Sequence, residues 1–148
     1  MNEKINSEKL INSILFQYSV VSTDFFIDNS AYLCYIKIKV TTGDTKILDT
    51  TCKKMNLDGN TGDVFLRNVI VEGALSIERN TGDVEFEDCD AGEIYIETDT
   101  GDVEGTLLTD KVFIAETDTG EVDVPKSKSG GICEIDTDTG DIEISISK

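Results

Sequence analysis

The hexapeptide TDTGDV at residues 98–103 returns as TDTGEV at 117–122 and as TDTGDI at 137–142, and this recurrence decides the fold. Working outward from these copies, the same glycine is found at Gly43, Gly62, Gly82, Gly101, Gly120 and Gly140, at intervals of 19, 20, 19, 19 and 20 residues. So regular a period marks a chain of stacked units, each too small to bury a core alone.

Aligning the copies on the glycine reveals the columns. Seven residues before it stand Ile36, Met55, Leu75, Ile94, Phe113 and Cys133; five before it, Ile38, Leu57, Ile77, Ile96, Ala115 and Ile135. Two residues after it come Thr45, Val64, Val84, Val103, Val122 and Ile142, then, four after, Ile47, Leu66, Phe86, Gly105, Val124 and Ile144. Apolar residues at spacing two on both sides of a glycine predict two short strands per unit, because a helix would scatter them around its axis. A second corner is expected nine residues earlier, at Gly73, Gly92 and Gly131. The chain therefore reads as all-β, a single-stranded β-solenoid with coils of 19–20 residues, each pairing its backbone with the next.

Residues 14–148 are assigned to the solenoid and 1–13 to an N-terminal tail or cap. Within this span, 14–33 read as a degenerate first coil: with Thr23 as its corner, Phe16, Tyr18, Phe25 and Ile27 fall in the four core columns. A helix over roughly 7–18 is the competing reading, since Leu10, Ile11, Ile14, Leu15 and Tyr18 share a helical face. The last residues, IEISISK at 142–148, stop in mid-strand, which predicts an unpaired edge there and a weak homodimer through the solenoid ends.

By strand parity, threonines one and three residues before the glycine point inward or into the corner, where their hydroxyls can satisfy backbone groups. The acids fall on outward positions: Asp58, Glu78, Glu97, Glu116 and Asp136 four before; Asp99, Asp118 and Asp138 two before; Asp44, Asp63, Asp83, Asp102, Glu121 and Asp141 one after; Glu85, Glu104, Asp123 and Glu143 three after. These columns hold 18 of the 30 acids and predict a carboxylate ridge along one edge. Stacked unit charges about 4.8 Å apart repel by roughly 0.9 kcal/mol even at the dielectric of water. Asx turns and acceptance of amide N–H explain the two columns beside the glycine, but not acids placed inside strands, where they are disfavoured. As a functional reading, Asp99, Asp102, Asp118, Glu121, Asp138 and Asp141 are candidate ligands of a weak surface Ca²⁺ site.

Composition narrows the remaining classes. With Lys+Arg 13, Asp+Glu 30, no His and a net charge of −17, nucleic acid and anionic lipid surfaces are poor partners, and a basic protein or envelope component is a better one. No apolar run approaches the roughly 20 residues that span a bilayer, so membrane insertion is not expected. No cleavable leader is seen, so the chain as written is expected in the cytoplasm, and at the cell surface if a leader has been trimmed. The sequence lacks G-x-S-x-G, a phosphate loop and metal-type Cys or His spacing, and is not expected to be an enzyme or to carry a cofactor. The inward parity of the threonines argues against an ice-binding array, and TDTGDV lacks the spacing of calcium nonapeptide repeats. Cys133 and Cys89 occupy apolar registers and read as buried hydrophobes; Cys34 and Cys52 lie near one corner of neighbouring coils, where a disulfide and reduced thiols both fit.

NTGDVFL, NTGDVEFEDCDAGEIYIETDTGDVEGTL and ETDTGEVDVPKSKSGGICEIDTDTGDIEISI, together with the VP…SGG loop at 124–131, resemble a family of adhesin-type bacterial β-strand-repeat domains grouped with the toast-rack domains of envelope-stress proteins. The resemblance covers roughly residues 35–148. It implies a right-handed β-helix, a bacterial source, and a non-catalytic role in adhesion or in sensing envelope stress. Members more often carry Ser where this chain has Asp99, Asp118 and Asp138, so the full ridge belongs to this chain. Two function classes follow: an interaction scaffold presenting an acidic ridge, and a cation-responsive structural solenoid.

Overall fold

The computed structural model describes residues 14–17, 23–30 and 33–148, with side-chain surroundings from Tyr35 onward. Every regular element among them is a strand: β1 (Ile14–Gln17), β2 (Thr23–Ser30), β3 (Leu33–Thr42), β4 (Asp44–Cys52), β5 (Lys54–Thr61), β6 (Val64–Thr81), β7 (Val84–Thr100), β8 (Val103–Leu107), β9 (Lys111–Thr119), β10 (Val122–Asp123), β11 (Gly131–Thr139) and β12 (Ile142–Ile146). From β3 onward all pairings are parallel and column matches column, as in Met55↔Leu75↔Ile94↔Cys133↔Phe113. The fold is the expected β-solenoid.

Its layers are not stacked in chain order. The segment before the glycine follows β3, β5, the end of β6, the end of β7, then β11, with β9 last; the segment after it follows β4, β6, β7, β8, β12, β10. The coil of residues 131–146 is thus inserted between those of 93–107 and 111–123. The expectation that 142–148 forms the open end is corrected in part: β12 is paired along its length by β8 and, at Ile142 and Glu143, on the other side by β10, while 144–146 have no strand on that side among the described residues. At this end of the stack the open edge belongs mainly to β9 and β10, which have one partner strand each among the described residues, as β1 and β2 do at the other end. A homodimer through the end would therefore meet this coil.

The other end also departs from expectation. β2 runs antiparallel to β3 and β1 antiparallel to β4. The expected first coil thus lies on the first layer in the opposite sense: Phe25 faces Ile38, Ile27 faces Ile36 and Phe16 faces Thr45, so columns assigned before the corner fall after it and the reverse. The alternation pattern is unchanged by reversing a strand, so periodicity does not report direction. Residues 14–17, within the competing helical span, are strand; the tail at 1–13 and Tyr18 lie outside the described residues.

The interior is filled by the predicted columns, with Ile36, Ile38, Leu57, Leu66, Ile77, Ile94, Val103, Ile135 and Ile142 buried. Each aliphatic side chain so removed from water contributes about 1.5–3 kcal/mol. Phe86 lies against Gly105, where a methyl would approach its ring to 2.3 Å, so the large residue uses the space the small one leaves. A further bend was missed in the sequence: six residues after the glycine, Asp49, Asn68 and Asp88 adopt φ of 50°, 53° and 50°. Asp and Asn tolerate this left-handed region better than other residues with a Cβ. The Asn68 amide donates to Asp49 Oδ1 at 2.9 Å, stacking one bend on the next.

Two buried cations were also unforeseen. Arg79 is 1% exposed, three residues before its glycine, in the column that holds Thr98 and Thr137 in other layers. Gly59 on the adjacent layer leaves room for the guanidinium, whose Nη2 reaches across to Thr45 Oγ1 at 3.1 Å. Burial lowers its pKa, and the charges of Asp58, Asp44 and Asp63 oppose that fall. At the second corner, Lys111 lies beside Gly131 and reaches past it to Asp90 Oδ1 at 2.6 Å and Thr109 Oγ1 at 2.5 Å. Both cations tie non-adjacent layers together, and at Gly59 the absent side chain makes the room for one of them.

Candidate functional site

The corner is built by the backbone. Gly43, Gly62, Gly82, Gly101, Gly140 and Gly120 have φ between 130° and 154°, and each donates its N–H, where a next layer exists, to the threonine carbonyl before the neighbouring glycine, as from Gly101 to Thr139 and from Gly140 to Thr119, at 2.9 and 3.0 Å. A methyl on Gly140 would lie 2.0 Å from the Gly101 carbonyl oxygen, and one on Gly120 would lie 2.1 Å from that of Gly140. No side chain fits, which explains why this residue is constant through the repeat.

The acid after the glycine completes the corner. Asp44 Oδ1 accepts from the N–H of Asp63, Asp63 from Asp83, Asp83 from Asp102, Asp102 from Asp141, and Asp141 from Glu121, each at 2.8–2.9 Å. A hydrogen bond to a charged acceptor is worth about 1.5–3 kcal/mol net, which exceeds the roughly 0.9 kcal/mol of repulsion between neighbouring carboxylates. This column is structural. The threonine parity holds in part: Thr98 and Thr137 are buried and Thr117 half-buried, with Thr117 Oγ1 donating to the Gly140 carbonyl at 2.9 Å, whereas Thr100, Thr119 and Thr139 are exposed.

The other three acidic columns stand differently. Glu78, Glu97, Glu116, Asp136, Asp99, Asp118, Asp138, Glu85, Glu104, Asp123 and Glu143 are exposed and make no hydrogen bond or ion pair with the described residues; Asp58 alone meets a cation, Lys39 Nζ at 3.6 Å. On one side of the corner, Glu78, Glu97 and Asp136 lie on successive layers around a shallow hollow of about 170 Å³ floored by Ile77 and Ile96. On the other, Glu85, Glu104 and Glu143 do the same around a hollow of about 250 Å³ over Phe86 and Gly105.

The six candidate metal ligands fall on three adjacent layers, in the order Asp99 and Asp102, then Asp138 and Asp141, then Asp118 and Glu121. Asp102 and Asp141 each commit one oxygen to an amide. The residues lie in rows, and no group of three or more acids or cysteines converges as a metal-binding set among the described residues. Cys89 and Cys133 are buried, as their registers predicted, and burial pushes their thiols up to about 11 and about 12. The side chain of Cys34 lies outside the described residues, and with it the suggested pairing to Cys52. Among the described residues no helix is long and apolar enough to cross a membrane.

Comparison with known proteins places this architecture. No curated protein and no solved structure matches the chain. The profile of the Toastrack DUF4097 family matches residues 15–87 and, overlapping them, 30–148, which includes all six glycine corners. The chain belongs to the Toastrack DUF4097 family, whose function is not known.

Proposed function

We propose that the chain is a non-catalytic interaction scaffold that receives a basic protein or cell-envelope component on its carboxylate ridge, an adhesin-type or envelope-associated role. The observation that carries this reading is the contrast between acidic columns. The column after the glycine is stabilised from within by backbone amides, while the columns four before, two before and three after it repeat unneutralised carboxylates on exposed faces. Such rows cost stability and have no internal compensation. A cationic surface would both relieve the repulsion and read the layer spacing.

Binding of poly-lysine, followed by titration calorimetry at several salt concentrations, tests this reading. The double variant Glu97→Gln, Glu104→Gln removes one carboxylate from each of two of the three exposed rows and should weaken binding several-fold. Glu93→Gln with Asp110→Asn removes equal charge elsewhere and should weaken it less. Equal losses would reduce the ridge to bulk charge. The cation-responsive reading separates in thermal unfolding at matched ionic strength: a midpoint raised by millimolar Ca²⁺ and not by NaCl supports it. Replacing Asp99, Asp118 and Asp138 with Ser would then abolish the Ca²⁺ response, whereas simple repulsion predicts that the replacement raises the midpoint in either salt.

A further inference from the structure

We infer that the open edge formed by β9 and β10 is a strand-addition site for an extended peptide of another protein that alternates apolar with Lys or Arg residues. The inference deepens the scaffold reading by naming a second place of contact and the form of its partner.

Backbone geometry comes first. Thr119 directs its carbonyl to Gly140 in the layer beneath, and in a parallel ladder alternate residues address opposite sides. Val112, Ile114, Glu116 and Asp118 therefore direct their N–H and C=O groups toward the open end. Among the described residues no strand takes them up. A nine-residue edge of this kind is a template for one more strand.

The side chains supply an independent observation. Of the four large hydrophobic residues that are exposed among the described residues, Leu108, Ile114 and Val122 lie in the outermost coil and the connection leading into it, and Ile132 lies beside Val112 on the inserted coil beneath. Ile114 is 50% exposed and Val122 43%, although Val122 occupies a column that is buried in the layers beneath. Phe113, Ala115 and Val124 pack on the core but remain partly uncovered. Clustered apolar exposure at an unpaired edge marks an interaction surface.

Charge selects the occupant. An added strand would place every second side chain over Phe113, Ala115 and Thr117, continuing the inward columns, and the others over Ile114, Glu116 and Asp118. Glu121 and Asp123 extend the acidic border on the far side of the corner. Inward positions therefore call for apolar residues and outward ones for cations. A second copy of this chain would instead set acidic columns against acidic columns, without the amide bonds that offset repulsion inside the stack.

The test uses the full chain and a blocked nine-residue peptide of alternating Lys and Val, beside an alternating Glu and Val peptide and a peptide of the Lys composition with its valines grouped at one end. The alternating Lys peptide should bind, slow hydrogen exchange at residues 112, 114, 116 and 118, and lose at least tenfold in affinity against Ile114→Pro, which removes an outward N–H. Ile114→Lys, a change at an exposed side chain, should also weaken it severalfold and guards against a proline variant that fails to fold. Equal binding of the grouped peptide, or affinity unchanged in both Ile114 variants, would overturn the proposal. Exchange protection of the same amides that rises with protein concentration, without peptide, would overturn it in favour of a second copy. Loss of poly-lysine binding in Glu97→Gln, Glu104→Gln with unchanged protection of β9 by the peptide would separate the ridge from the edge, so either can fail alone.

Discussion

The two ends of the solenoid are finished by opposite means. At the first layer, β2 and β1 lie antiparallel on β3 and β4, whereas at the last layer β9 and β10 keep the parallel sense of the stack; the outermost strands at both ends have one partner each among the described residues. The corner explains why a reversed strand can terminate the stack. The glycine N–H and the Asp carboxylate reach the next layer only when both corners run in the same sense, so an antiparallel strand cannot extend the ladder. The open end keeps Glu121 at the top of that ladder, with its backbone N–H bound to Asp141 and its own carboxylate exposed. One end closes the repeat, and the other leaves it ready to continue.

The largest expected effect comes from breaking the corner at different distances from the open end. Gly140→Ala sets a methyl 2.0 Å from the Gly101 carbonyl oxygen at a φ of 150°, and should destabilise the fold by about 4 kcal/mol or more in urea unfolding. Gly120→Ala makes an equivalent clash, at 2.1 Å, in the outermost layer. It should fray β9 and β10, seen as faster amide exchange there, with a smaller loss of global stability. Equal global losses would mean the open coil is as integral as the inserted one.

The two buried cations sharpen the same contrast. Lys111 in the outermost coil is bound to Asp90 and Thr109, so Lys111→Met strands a mostly buried carboxylate and should cost about 3 kcal/mol. Arg79, nearer the closed end, has Nε and Nη1 buried without a hydrogen-bond partner. Arg79→Met should leave stability unchanged or raise it by up to about 2 kcal/mol, since an unsatisfied buried ion is replaced by an apolar chain of similar length. A loss above about 1 kcal/mol would show that the charges of Asp44, Asp58 and Asp63 depend on this guanidinium.

These residues also mark the limit of what the sequence discloses. The corner glycines, the core columns and the acidic rows were legible because each recurs at one period and each position has one physical demand: positive φ, burial or exposure. The order of the layers was not legible. Every layer offers the same edge, so the columns specify register without specifying which neighbour supplies it; the connections at 108–110 and 124–130 decide that, and they carry no repeat. Gly59 interrupts the pattern, and its purpose becomes visible only when Arg79 is found in the space it leaves. Asp49, Asn68 and Asp88 were a readable signal, an Asx column at constant offset, overshadowed by the glycines. In the candidate site, the amide-binding acids were foreseen by local chemistry, but the open edge was assigned to 142–148 because chain order was taken for spatial order.

A smaller effect should appear in alkaline solution. Burial raises Cys133 from 9.0 to about 12 and Cys89 from 9.0 to about 11. The folded state holds both thiols protonated after the unfolded chain has begun to ionise. Their contribution to stability is therefore fully present below pH 9 and lost as pH rises through the folded-state values. Urea midpoints measured between pH 8 and 11 should fall less steeply in the Cys89→Val, Cys133→Val variant than in the parent chain. Identical slopes would place the decline elsewhere.

Cross-linking of paired cysteines on the outward column four residues before the glycine tests the layer order most directly. Adjacent layers bring Cα atoms to about 4.8 Å, within disulfide reach, and layers two apart to nearly 10 Å, beyond it. Stacking of 131–146 between 93–107 and 111–123 predicts that Glu97→Cys with Asp136→Cys oxidises readily and that Glu97→Cys with Glu116→Cys does not. Ready oxidation of the 97–116 pair with none at 97–136 would contradict the inserted coil, and with it the assignment of the open edge to β9.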